Sequence, residues 1–187
     1  MPNASGAHRW DRGLDFKATY RQLTGHLSRT DIPTRDRVKT SILLIVLRNG
    51  CRIGEGKEAY NKFCEKPGKN IYVRVEKRGF KYPKDAAGKR MKGHGTLTKP
   101  FYRKIVVPME VKPGNQYTKS KSNLTLFATT YYGWNPHSER YAFIGHMQSK
   151  NVPAQTIAGI TGHATLAEII HYSSVKVAEK TLEEDVL

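Results

Sequence analysis

The chain has 187 residues, 38% of them hydrophobic, enough for one domain with a proper core plus short flanking arms and too much for a miniprotein held by cross-links. Lys and Arg total 32 against 16 Asp and Glu, a net charge of +16 that points to a polyanionic partner, nucleic acid first, rather than to a small acidic metabolite. No apolar run approaches the ~18 residues of a membrane span, the N-terminus lacks the apolar stretch of a secretory signal, and two cysteines without CxxC spacing, Cys51 and Cys64, argue against a disulfide framework or a Cys-rich zinc site.

Residues 1 to about 15 read as a loose polar arm, and a short helix is expected over 15–27. Asp31, Pro33 and Thr34 open a periodic stretch (Val38, Ile42, Ile45, Val46) that stops at Asn49-Gly50, the cap chemistry of a helix about four turns long. A second helix is expected from about 54 to 63. From Asn70 the pattern turns to strand, with Ile71, Val73 and Val75 alternating with Tyr72 and Arg74, and a second β-rich run follows at 105–107. A Gly/Lys/Pro-rich loop lies between them. Residues 66–121 hold 16 Lys and Arg and 3 Asp and Glu, so +13 of the +16 sits in this hairpin and its flanks. A solvated loop carries charge runs of the same kind.

After a polar stretch over 115–122 the chain is mostly helical again. Pro136 suits a first helical turn, and Tyr141, Ile144 and Met147 supply apolar positions until Asn151-Val152-Pro153. A short helix over 154–160 closes at Thr161-Gly162, another is expected over about 164–172, and a last one to about 182 precedes the acidic Glu183-Glu184-Asp185. No internal repeat is visible.

Three local patterns could carry chemistry, each weak alone. Asn49-Gly50-Cys51-Arg52-Ile53-Gly54-Glu55 sets an arginine in a helix-to-helix junction with a carboxylate three residues on. His137-Ser138-Glu139-Arg140 puts an imidazole and a guanidinium on one helix face, where both can reach one phosphate. Thr161-Gly162-His163 is followed by Tyr172 nine residues after the histidine. Their co-occurrence in this order matters, because metal-free strand chemistry on DNA needs this inventory. Two guanidiniums clamp a phosphodiester, imidazoles donate hydrogen bonds or move protons, a lysine protonates the leaving oxygen and a tyrosine hydroxyl attacks phosphorus. Arginine suits the clamp because its planar fork is bidentate and stays charged.

In these motifs the sequence resembles the catalytic domain of the tyrosine recombinases, the phage and plasmid integrase family, over about residues 34–176. Gly54 stands where that family commonly has serine, and Glu139 where it usually has an apolar residue. The resemblance implies an α+β fold, mainly helical with a small antiparallel β-sheet or hairpin. It implies an N-terminal arm and short helix over 1–30, the catalytic domain over 31–176 and a tail over 177–187. Residues ahead of Arg52 suffice only for the domain's own first helices, so no N-terminal core-binding domain is expected.

For the site, the resemblance implies Tyr172 as nucleophile, giving a 3′-phosphotyrosyl link and a free 5′-hydroxyl. Arg52 and Arg140 would clamp the phosphate and His163 would hydrogen-bond it. His137 would accept a proton or touch the phosphate, and Lys77 would be general acid, with Lys81 as the alternative. Glu55 would orient Arg52 or His137. His146 is expected to pack, and His8, His26, His94 and His171 stay outside the site. His137, His163 and His171 fit no standard zinc spacing, and neither cofactor, metal nor ATP is expected. Arg74, Arg78, Lys81, Lys84, Lys89, Arg90, Lys92 and Arg103 are the expected DNA contacts in the basic hairpin, giving salt-dependent affinity. Tyr72, Phe80, Tyr82 and Tyr102 mix aromatics into that charge, a composition that also suits single-stranded or distorted DNA.

The expected partner is double-stranded DNA, with a homo-oligomer, a tetramer on paired sites, if the segment over 175–187 passes to a neighbour. No membrane is expected, and the expected location is the cytoplasm, on nucleoid or host DNA. A type IB topoisomerase-like enzyme that nicks and reseals, and a basic DNA-binding module without catalysis, remain alternatives.

Overall fold

In the computed structural model, residues 13–68, 70–75, 78–81, 83–88, 91, 95–163, 166 and 169 are described. Helix α1, Phe16–Ser28, starts where Asp15 accepts the Ala18 N–H at 2.7 Å. Helix α2, Thr34–Asn49, begins after Pro33, whose fixed φ suits the entry, and stops at Gly50, which has φ 54. Six consecutive residues of α2, from Ile42 through Leu47, have no exposed surface. A helical stretch apolar on every side has to be interior, and α2 packs against α1, α3 (Ile53–Glu65) and α5 (Pro136–Gln148). Each of those side chains contributes ~1.5–3 kcal/mol by leaving water.

Two short antiparallel ladders follow α3. Strand β1, Ile71–Arg74, pairs with β4, Tyr102–Ile105, Ile71 opposite Ile105 and Arg74 opposite Tyr102. Strand β2, Phe80–Lys81, pairs with β3, Thr96–Leu97. Ile71, Val73, Val75 and Ile105 face the core. The last strand was expected at 105–107 and instead lies at 102–105. The inward position between its ends is filled by Arg103 rather than by an apolar residue, which hides the alternation.

Side-chain amides extend the pairing where the strands end. Asn49 Oδ1 accepts the Val106 N–H at 2.9 Å while its Nδ2 donates to the Val106 carbonyl at 2.8 Å. Asn61 does the same to Tyr117, at 2.8 and 3.1 Å. Each amide imitates a ladder partner, fastening the chain after β4 to α2 and the approach to α4 to α3.

Helix α4, Lys121–Phe127, runs into a π-helical turn, Ala128–Tyr132. That turn sets Tyr132 inward, where its hydroxyl meets His26 Nδ1 and lies 2.9 Å from Thr40 Oγ1. His26, which the sequence leaves without a partner, is thus bonded across the molecule. Asn135 then caps α5, accepting the His137 N–H at 2.9 Å with Pro136 in the first turn. Helix α6, Ala154–Thr161, ends at Gly162. Of the helices expected beyond residue 164, only Leu166 and Ile169 are described. Ile169 is buried with Phe143, Ile144 and Ile157. The result is the expected mainly helical α+β fold with a small antiparallel β component.

Gly50 is confined twice over: its φ of 54 is left-handed, and a Cβ there would sit 2.4 Å from Phe143 Cδ1. Gly50→Ala should lower stability in urea unfolding by roughly 2–4 kcal/mol. Combining it with Phe143→Leu should cost less than the sum of the two single changes, and strict additivity would refute the contact.

Candidate functional site

The two helix ends at residues 50–52 and 161–163 converge on the first turns of α5. Arg140, 2% exposed, holds them together. Its Nη1 donates to the Gly50 carbonyl at 2.7 Å and to the Thr161 carbonyl at 2.9 Å. Both carbonyls lie at the C-terminal ends of helices, where the backbone is short of donors and carries partial negative charge. Burial, then the neighbouring Arg52, lowers the Arg140 pKa to about 10, so the guanidinium is charged at neutral pH.

Arg52 stands at the N-terminus of α3, one turn before the carboxylate it uses. Glu55 Oε2 accepts the Arg52 backbone N–H at 3.3 Å, and Glu55 Oε1 accepts from Arg52 Nη1 at 3.2 Å. Glu55 is fully buried, with Arg103 Nε 3.4 Å from Oε2 on its other side. Arg103 also donates from Nη1 to the Ile160 carbonyl and from Nη2 to the Asn49 carbonyl at 3.4 Å. Among the described residues, three guanidiniums thus lie around the Glu55 carboxylate, Arg52 hydrogen-bonded to it, Arg103 ion-paired with it and Arg140 near enough to feel its charge, and the Arg52 side chain, 22% exposed, opens the cluster to solvent. The surplus positive charge in a poorly solvated place is the electrostatics of an anion site.

Arg103 corrects an expectation. Read as a DNA contact, it is a buried residue, because the pleat of β4 turns it inward beneath Glu55 while Tyr102 and Lys104 face out. Its charge acts on the site from below.

His163 follows from a turn and a hydroxyl. After Gly162, whose Cβ would meet Val75 Cγ1 at 2.8 Å, the His163 N–H returns to the Ala158 carbonyl at 3.1 Å. Thr161 Oγ1 donates to the Ile157 carbonyl at 2.7 Å, so at 2.6 Å it accepts from His163 Nδ1. That assigns Nε2, 2.8 Å from Arg140 Nη2, as the acceptor of the guanidinium. Burial, then Arg140 and Arg52, drives the His163 pKa down to about 3, and the ring stays neutral through the physiological range. His137, exposed in the first turn of α5, rests edge-on against Tyr141 at 4.8 Å and lies close enough to His163 to contribute to that shift.

Among the other expected site residues, Lys77, Lys89, Arg90, Lys92 and Tyr172 lie outside the described residues, as does His171. Lys81 and Lys84 are exposed on the hairpin, Arg78 holds its guanidinium over the Phe101 ring at 4.0 Å, and Arg74 sits on β1 opposite Tyr102. His146 packs as expected, stacked on Phe16 at 4.3 Å. The structure thus brings Arg52, Glu55, Arg140 and His163 together, with His137 near them. Sequence reading missed the place of Arg103 in that cluster.

Glu139 occupies the place beside Arg140 where an apolar side chain is usual, and it is fully buried. Trp134 Nε1 donates to its Oε1 at 2.8 Å, and Oε2 has no hydrogen-bond partner among the described residues. Burial pushes the carboxyl well above the usual carboxylate range, with the Trp134 bond working against the shift. A neutral acid can stand in for an apolar residue where a carboxylate cannot.

Two outcomes follow. Glu55→Gln removes the carboxylate that joins Arg52 and Arg103 and should cost about 3–5 kcal/mol in chemical unfolding. For Glu139 the folded pKa lies above the unfolded value of about 4.3, so its contribution is complete below that pH and declines as pH rises toward the folded pKa. Glu139→Gln should abolish the decline. Its stability relative to the parent should grow as pH rises above about 4.3, by up to about 1.4 kcal/mol per pH unit until the folded pKa is reached. Parallel pH profiles would show that Glu139 is not a raised acid.

No family model matches the chain. Over 186 residues it is 28% identical to ORF241 of Acidianus two-tailed virus, a protein named as an integrase, covering 94% of this chain and 68% of that one. It is 26% identical over 198 residues to MJ0770, an uncharacterized protein of Methanocaldococcus jannaschii, covering 93% of this chain and 87% of that one. Among solved structures it is similar to the XerH site-specific recombinase bound to its difH substrate in a pre-cleavage complex, with a TM-score of 0.50 and 14% identity. That likeness covers 92% of this chain and 52% of the XerH chain, so the chain spans about half the length of that recombinase. The chain therefore has the fold of a tyrosine-recombinase catalytic domain and resembles, over most of its length, a viral protein named as an integrase.

Proposed function

We propose that this chain cuts and rejoins DNA strands in site-specific recombination or integration. The observation that carries the reading is the cluster of Arg52, Arg140 and Arg103 around the Glu55 carboxylate among the described residues, with neutral His163 against Arg140. A phosphodiester supplies the negative charge this cluster lacks, and the pentavalent transition state supplies more of it.

In this mechanism the Tyr172 hydroxyl oxygen attacks phosphorus. A P–O bond to tyrosine forms as the P–O5′ bond breaks, the tyrosine proton passes toward His137, and Lys77 gives a proton to the departing 5′ oxygen. The phosphate stays linked to the 3′ end of the upstream strand, so the bond energy is kept and a 5′-hydroxyl can reverse the step. Arg52 and Arg140 hold the non-bridging oxygens throughout. Glu55 fixes Arg52 in place, and Arg103 adds charge without touching DNA. The chain recognises the duplex through the hairpin cations, and recombination requires more than one copy at paired sites.

The test uses a duplex with a 5′-labelled strand, incubated with EDTA and run on a denaturing gel. Label should migrate with protein, Tyr172→Phe should abolish the adduct, and Arg52→Lys should slow its formation by about 10²–10³-fold. A nicked, topology-relaxed product without exchange between two sites would favour a topoisomerase-like reaction. DNA binding without any adduct on nicked, mismatched or intact duplexes would refute the catalytic reading.

A further inference from the structure

The ladder of β1 and β4 has two unlike faces. Ile71, Val73, Arg103 and Ile105 point inward, while Tyr72, Arg74, Tyr102 and Lys104 form the outer face. The two tyrosines are 52% and 54% exposed, high for side chains of this size on strands. Register sets Tyr72 opposite Lys104 and Tyr102 opposite Arg74, so ring and cation alternate along each strand and across the ladder. Neither tyrosine hydroxyl has a hydrogen-bond partner among the described residues. Packing within the described residues leaves both side chains about half uncovered.

The same strands reach the anion cluster from their inner side. Arg103, between Tyr102 and Lys104, is the residue beneath Glu55. Val75, one residue past β1, lies against Gly162 of the His163 turn, and its N–H donates to the Phe101 carbonyl at 2.7 Å. A DNA strand with a phosphate at Arg52 and Arg140 would have the ladder as a near neighbour.

We propose that this outer face binds unpaired nucleotides of a DNA strand, Tyr72 and Tyr102 stacking on bases and Lys104 and Arg74 meeting the phosphates between them. The choice of DNA as occupant rests on the strand-cutting reading above. The two rings occupy diagonal ladder positions, about 7–8 Å apart, twice the ~3.4 Å step of a duplex strand. The spacing suits bases drawn out of their stack, since a paired base has both faces covered already. Aromatic rings set among cations are the pattern of single-strand binding surfaces.

The experiment measures fluorescence anisotropy of the full chain with a labelled 12-mer of thymidine and with an abasic 12-mer of equal charge, at matched salt. The thymidine strand should bind more tightly. Tyr72→Ala and Tyr102→Ala should each weaken it by about 5- to 150-fold while leaving abasic binding and thermal stability unchanged, and Tyr→Phe at either position should retain it. Lys104→Ala should weaken both strands alike and flatten the salt dependence. Equal affinity for the two strands, or indifference to both alanine changes, would overturn the proposal. Measuring the covalent duplex adduct in parallel separates the ideas. An adduct with no preference for bases sinks this surface and keeps the catalytic reading, and tyrosine-dependent base binding without an adduct does the reverse.

Discussion

One buried guanidinium organises the site. By donating from a single nitrogen to the Gly50 and Thr161 carbonyls, Arg140 joins the C-terminal ends of α2 and α6 to the first turns of α5. Those ends are where helices run out of internal hydrogen bonds, so a cation placed there satisfies acceptors and opposes the dipoles together. The arrangement holds because Gly50 leaves room for Phe143 and lets the chain turn at once into α3. Arg52, only two residues on, is therefore placed by the same turn.

Charge balance then gives the cluster its character. Glu55 neutralises part of the field of Arg52 and Arg103, and none of its oxygens bonds Arg140 among the described contacts. Arginine tolerates this because its pKa starts so high that even the burial of Arg140 leaves it charged. His163 responds in the opposite sense, giving up its proton and accepting from the guanidinium.

Two other features show how polar groups enter this core without breaking it. Asn49 and Asn61 use both ends of their amides to complete backbone pairing where strands end. Glu139 enters as an acid held neutral by burial and bonded to Trp134, which stacks on Tyr132 at 4.9 Å. Tyr132 in turn bonds Thr40 and His26, so α1, α2 and α5 are linked by one run of aromatic and polar contacts.

The sequence alone determined what local rules govern. The start expected at residue 15, Asn49-Gly50, Pro136 and Thr161-Gly162 mark helix ends because such signals depend on neighbours in the chain, and the observed ends fall within two residues of those marks. The order of Arg52, His137, Arg140 and His163 was legible for a similar reason, since each sits in a short motif. Tertiary structure decided what depends on contacts between distant segments. It set β4 three residues earlier than its apolar pattern suggested, because an inward arginine is invisible to a hydrophobicity rule. For the same reason Arg103 was read as a surface cation although its partners, Asn49, Glu55 and Ile160, are about fifty residues away on either side. The burial of Glu139, the partners of His26 and the exposure of Tyr72 and Tyr102 were likewise settled only by packing, because a side chain's environment is made by elements that its own neighbours in sequence do not specify.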